Sequence, residues 1–156
     1  MPNGQADDRS RPLVLFVINS LTGGGAERML ATVLEHSAPY RSDYRIALAV
    51  LDDDPRAQAV PDWLPVHQLD CRHRTAHSFR QLRALVRRLG PSLINSHLVR
   101  SNVSTMVATL GTRIPFVITE QNNTLLQAGQ GARAIITRQL VRIAYRRAAR
   151  IIAVSE

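Results

Sequence analysis

Six short apolar runs punctuate the chain, and between them lie stretches whose apolar residues recur at helical spacing. The runs are LVLFVI (13–18), RIALAVL (45–51), VHQL (66–69), SLIN (92–95), PFVIT (115–119) and RIIAV (150–154). Continuous apolar character without alternation is the pattern of a strand covered on both faces. Between the runs, Met29, Leu30, Val33 and Leu34 mark one helix face, and Phe79, Leu82, Leu85, Val86 and Leu89 a second. Val99, Val103, Met106, Val107 and Leu110 mark a third, and Ile136, Leu140, Ile143 and Ala144 a fourth. Gly90-Pro91 ends the second helix and Gly111 closes the third. Strands that alternate with helices pair in parallel, because each crossover helix packs back onto the sheet. The expected fold class is α/β: one domain built on a Rossmann-like, doubly wound parallel sheet in the order 3-2-1-4-5-6. A chain of 156 residues fits one such domain. Residues 1–12 are polar and patternless and are expected to form a disordered tail, leaving 13–156 as the domain. The Pro and Asp content of residues 52–65 predicts a surface loop.

Several function classes drop out early. No apolar run approaches the roughly 20 residues of a membrane span, and the polar N-terminus lacks the order of a signal peptide. The single cysteine, Cys71, forms no internal disulfide, so the cytoplasm is the expected compartment. Charge is more informative. All 20 basic residues are arginine; residues 1–70 hold 6 of them against 10 acids, and residues 71–156 hold 14 against 2. Codon bias accounts for arginine over lysine but not for this segregation, which points to an anionic partner. Arg138, Arg142 and Arg146 recur every fourth residue, with Arg147 and Arg150 beside them. That stripe is either a solvated helix face or a surface drawn to anionic lipid, worth about 1 kcal/mol per arginine. Nucleic acid is not expected, because one Trp, three Tyr and three Phe do not interleave with the arginines.

In a doubly wound sheet, ligands bind beyond the carboxyl ends of the strands, near the switch point between strands 1 and 4. The unusual polar residues fall there. Gly23, Gly24 and Gly25 follow strand 1 and open a helix, where backbone N–H groups and the helix dipole favour an anion. The alternative is a merely tight turn; the stretch is neither G-x-G-x-x-G nor a P-loop. LDDD (51–54) offers an acid for a ribose, as in a nicotinamide enzyme, or paired carboxylates for a divalent ion, but it fits a solvated loop better. NSHLVRSN (95–102) sets His97 at the end of strand 4 and Asn102 one turn into the next helix. TEQNNT (119–124) follows strand 5 with more polar residues than a core accepts. His67, His73 and His77 have no metal-ligand spacing, and no metal is expected.

Four of these segments, LTGGGAER, INSHLVRSN, VITEQNN and ARIIAVSE, occur in an order and spacing that resemble the N-terminal domain of family 4 retaining glycosyltransferases of the GT-B fold. The resemblance runs from residue 13 to 156. It implies transfer of a sugar from a nucleotide sugar to a glycan or lipid-linked acceptor, with retention and with no cofactor beyond the donor. It also implies a cleft in which Gly23, Gly24 and Gly25 approach the donor phosphates. His97, Asn102, Glu120, Gln121, Asn122 and Asn123 would then line the acceptor and sugar side. No catalytic residue is assigned. The chain departs from the family at Gln121 and at Asn95, where a histidine is common. It also stops before the last helix and the donor-binding domain that the family carries, so the 156 residues are expected to be inactive alone. Two other readings stand beside this one: a non-catalytic acceptor-binding subunit completed by a separate donor-binding chain, and an NAD-dependent oxidoreductase with Asp52 on the ribose. The basic stripe of Arg138, Arg142, Arg146 and Arg147 would face the inner surface of the cell membrane, as in an enzyme of the cell envelope. A last strand without a covering helix predicts exposed apolar surface.

Overall fold

The computed structural model describes residues 10–53, 55, 58–120 and 132–154. Its centre is β1 (Leu13–Ile18), whose side chains are almost all buried. The chain continues through α1 (Gly25–His36), a 3-10 turn (Ala38–Ser42), β2 (Arg45–Val50), β3 (Val66–Gln68) and α2 (Thr75–Leu89). It then forms β4 (Leu93–His97), α3 (Val99–Ala108), β5 (Phe116–Glu120), α4 (Ala132–Arg147) and β6 (Arg150–Ala153). The strands make one six-stranded sheet in the order β3-β2-β1-β4-β5-β6, and every pairing is parallel. This is the Rossmann-like order that the alternation of runs implied.

Each face of the sheet buries its own core. On one side Leu15, Val17, Ala47 and Ala49 meet Leu82, Leu85 and Val86 of α2, Val103 and Met106 of α3, and Val141 and Ala144 of α4. On the other, Phe16, Ile18, Leu48 and Val50 meet Leu30 and Leu34 of α1, together with Leu64. Burying a Val, Leu, Ile or Phe side chain fully stabilises the fold by about 1.5–3 kcal/mol, which is why β1 carries no polar position and β2 carries one only at Arg45, its half-buried first residue. α2 ends where Gly90 adopts φ +57°, a left-handed turn that donates its N–H to the Val86 carbonyl at 2.9 Å. α1 ends with Ser37 Oγ donating to the Leu34 carbonyl at 2.6 Å and His36 Nδ1 bonded to the Thr32 carbonyl at 2.9 Å.

Three helix faces differ from the sequence pattern. In α4 the buried positions are Val141 and Ala144, with Leu140, Tyr145 and Ala148 half-buried, whereas Ile136 is 59% exposed and Ile143 faces solvent. Two overlapping apolar stripes were available to this helix; Leu140 and Ala144 of the expected one face the core, and Val141 is buried in place of Ile136 and Ile143. Val33 of α1 and Leu110 beyond α3 are likewise exposed. β4 and β5 each reach further toward their carboxyl ends than the apolar runs did. Ser96 and His97 pair with Ile118 and Thr119, and Ser96 Oγ donates to the Val117 carbonyl at 3.3 Å. At the far edge of the sheet, Ile151 and Ile152 of β6 are both about half exposed.

Replacing Leu15 by Ala should lower unfolding free energy by about 2–5 kcal/mol, whereas Ile136→Ala should change it by no more than about 0.5 kcal/mol. Urea midpoints of the two variants decide between the two α4 stripes: a large loss at Ile136 would mean that the helix buries the other face.

Candidate functional site at the carboxyl end of the sheet

β1 has β2 on one side and β4 on the other. The direction of travel across the sheet reverses between β1 and β4, and in open sheets of this kind the crevice that takes a ligand lies between the loops that leave such a pair. Those loops are pinned to each other. Asn19, the first residue after β1, accepts at Oδ1 from the Ser101 N–H at 3.1 Å and from the Ser101 hydroxyl at 2.7 Å. Ser101 lies in the first turn of α3, whose own N-cap residue supplies no side-chain bond. Asn19 therefore caps α3 from across the crevice, satisfying one of the open amides at the start of that helix.

The turn from β4 into α3 is strained. Leu98 sits at φ +71° and ψ 153°, a region nearly reserved for glycine, at a cost of order 1–3 kcal/mol. Its side chain packs on the cluster around Phe16 and Ile18. The Leu98 carbonyl accepts from the Asn102 backbone N–H at 2.9 Å. With its nitrogen turned toward acceptors, the Asn102 amide also donates to the carbonyls of Ser96 and Leu98 at 3.1 and 3.2 Å and to Ser96 Oγ at 2.8 Å. Asn102 is thus buried, and its amide holds the turn. The structural reason is that a turn with this backbone exposes two carbonyls that only a nearby donor can satisfy.

His97 is 2% exposed and stacks on Phe16, with ring centroids 6.2 Å apart. Burial lowers its pKa from 6.5 to about 4, so the ring is neutral at physiological pH and takes part only as a hydrogen-bonding, apolar surface. Beside it, Thr119 Oγ1 donates to Asn95 Oδ1 at 2.8 Å, bracing β5 on β4. Glu120 closes β5, half-buried, and its carbonyl takes the Val154 N–H at 2.9 Å. Gln121, Asn122 and Asn123 lie outside the described residues.

Asp52 overturns the expectation of a solvated acidic loop. It is 2% exposed. Its Oδ1 accepts from the His73 N–H at 2.9 Å, while its Oδ2 pairs with the Arg100 guanidinium and with His73 Nδ1 at 3.1 Å. The loop that supplies His73 wraps around it with Asp70, Arg72 and His73 all at positive φ. With both carboxylate oxygens engaged inside the protein, Asp52 is not presented to a ribose. Asp53 is exposed, and Asp54 lies outside the described residues. Opposite charges 48 positions apart leave no trace in a linear pattern, so neither Arg100 nor Asn19 was legible beforehand. Among the described residues no group of three or more acids, histidines or cysteines is placed to hold a metal ion. Cys71 is buried, and burial raises its thiol pKa, which keeps it protonated and unreactive.

What faces outward at this end is main chain. Gly23, Gly24 and Gly25 are exposed at the start of α1, and Gly23 has φ +121°, which side chains resist. The Glu27 carboxylate leans over Gly24, with Oε2 2.5 Å from where a Cβ would stand. An acid in the first turn is favoured by the positive pole of the helix. The arrangement suits binding of an anion. Arg138, Arg142, Arg146 and Arg147 are all exposed along α4, away from this turn in the chain.

The neutral His97 makes the fold acid-sensitive. Its folded pKa lies below the unfolded one, so its contribution is complete above pH 6.5 and is lost as pH falls toward about 4. The difference corresponds to about 3 kcal/mol. His97→Phe should remove that part of the pH dependence in denaturant titrations run between pH 7 and 4; parallel curves for the two proteins would mean that His97 titrates normally.

Comparison with known proteins agrees with this fold. Among curated proteins none matches the sequence significantly. Solved structures do. The sucrose-phosphate synthase of Thermosynechococcus elongatus superposes with a TM-score of 0.68 at 10% identity, covering 93% of this chain and 43% of that one. MurG of Acinetobacter baumannii gives 0.58 at 12% identity, covering 93% and 41%. An alpha-glucosyltransferase in complex with UDP and DNA gives 0.52 at 8% identity, covering 91% and 36%. Identities this low establish the fold, which is the Rossmann-like half of a GT-B glycosyltransferase, and the chain spans less than half the length of each. The sequence model of Glycosyltransferase Family 4 matches residues 23–156, which include the glycine turn, the β4–α3 turn and β6. The chain belongs to Glycosyltransferase Family 4.

Proposed function

We propose that this domain is the acceptor-side half of a retaining glycosyltransferase that moves a sugar from a nucleotide sugar to a glycan or lipid-linked acceptor. The observation that carries the reading is the exposed glycine turn at the β1–β4 switch point, opposite the β4–α3 turn that Asn19 locks in place. A diphosphate leaving group meets bare backbone N–H groups and the positive pole of α1 there, once the Glu27 carboxylate swings aside. Preorganised dipoles of this kind stabilise charge that develops on the leaving group without reorganising at the moment of reaction. The UDP bound to the alpha-glucosyltransferase relative supports a nucleotide donor. The donor's base and ribose would be held by a second domain, either further along the same polypeptide or in a separate chain, for which this one would be the acceptor-binding subunit. Asp52, already neutralised by Arg100, leaves a nicotinamide reading without support.

The α4 surface favours a place at a membrane. Ile135, Ile136 and Ile143 are exposed on the same helix as Arg138, Arg142, Arg146 and Arg147, combining apolar and cationic groups on one element. No helix among the described residues is long and apolar enough to cross a membrane. A domain that meets a lipid-linked acceptor at an anionic inner surface would use such a helix.

Gly25→Ala separates structure from function. A Cβ at Gly25 meets nothing within 4 Å, so the variant should be as stable as the parent or gain up to about 1 kcal/mol. Nucleotide-sugar affinity and transfer, measured with the donor-binding half present, should fall about tenfold or more; unchanged transfer would remove the glycine turn from the donor site. In vesicle sedimentation, binding should rise with anionic lipid and fall with salt. Indifference to both would dismiss the membrane reading.

A further inference from the structure

At the opposite end of the sheet, where the strands begin, a cavity of about 350 Å³ opens beside β2 and the edge strand β3. Arg11, Arg41, Arg45, Tyr44, Trp63 and His67 line it, over an aliphatic floor from the first residues of β1 and β2. Among the described residues no carboxylate lines it. That is notable because the first 70 residues hold more acids than arginines, yet three guanidiniums converge here. The contacts that orient Arg41 and Arg45 are to neutral groups. Arg41 lies over the Trp63 ring, 4.7 Å from its centroid. Arg45 Nε donates to the Arg11 carbonyl at 3.2 Å, and Arg11 Nη1 donates to the Arg41 carbonyl. Arg45 is half-buried, and a guanidinium in that setting gains most from an anion that takes two of its N–H groups at once. His67 stands in the same positive surroundings: burial, and then the charge of Arg88, lower its pKa, leaving a neutral ring in the wall.

We propose that this cavity is a second binding site, for a small organic phosphate whose phosphate group is held by Arg41 and Arg45 and whose ring rests beside Trp63. Its volume is that of a small-ligand pocket, and its lining combines apolar surface with a few convergent polar groups. It is separate from the donor crevice. Arg45 begins β2 and Leu13 begins β1, so the length of a six-residue strand, about 20 Å, stands between the cavity and the glycine turn. The same chemistry is offered by a nucleoside monophosphate and by a sugar phosphate. A ligand here would touch β2, β3 and the end of α2 without meeting the substrates, as an effector does.

Trp63 is the only tryptophan of the chain, so its emission reports on this cavity and not on the crevice. The protein is titrated at constant ionic strength with uridine monophosphate, glucose 6-phosphate and inorganic phosphate, with uridine and glucose as uncharged controls. At least one organic phosphate should give a saturable change, about tenfold tighter than inorganic phosphate or its own uncharged counterpart. Arg41→Gln, at an exposed position that the fold does not need, and Arg45→Gln should each weaken that affinity about tenfold, while Gly25→Ala leaves it unchanged. No saturable change with either organic phosphate, an equal response to inorganic phosphate, or an affinity indifferent to both arginine substitutions would overturn the proposal.

Discussion

Every element of this domain is placed by the fact that β1 is hydrogen-bonded along both edges and covered on both faces. Its N–H and C=O groups are matched to β2 over six residues and to β4 over four. Buried as it is, it has no water to fall back on. A shift of one residue would exchange Leu15 and Val17, which belong under α2 and α3, with Phe16 and Ile18, which belong under α1. The two cores therefore fix the register, and the register fixes which loops meet at the carboxyl end.

At that end the side chains are largely used in holding the loops. Asn19 caps a helix on the far side of the crevice, Asn102 satisfies the carbonyls of a strained turn, Thr119 braces Asn95, and Asp52 neutralises Arg100. Removing one partner of a buried pair such as Asp52 and Arg100 typically costs about 3–5 kcal/mol, because the other charge is left stranded. The polar residues are thus a frame, and the surface that the frame presents is the bare backbone of the glycine turn. A site of this kind recognises charge and close approach more than side-chain identity.

The strands, their order and the glycine turn were legible because each is written in consecutive residues. Continuous apolar runs mark strands buried on both faces, and a glycine triplet between a run and a helix marks the switch point. The face of α4 was legible only in part: Leu140 and Ala144 face the core as their spacing implied, whereas Ile136 and Ile143 are exposed and Val141 is buried instead. Asp52 was misread for a different reason. Three aspartates before a proline look solvated, and the guanidinium that draws the first of them inside lies on another helix. Leu98 carried no signal at all, because its backbone is dictated by its neighbours and not by its own preference.

The burial of His97 also bears on how an enzyme built on this domain would answer to its surroundings. Most histidines at a binding site gain and lose a proton within the range of acidity that cells experience, and their ligands feel the change. This ring does not reach half-protonation until the solution is about a thousandfold more acidic than neutral water. The crevice wall beside β4 keeps one polarity across the whole physiological range. A group resting against this ring would meet the same uncharged surface at every acidity a cell experiences.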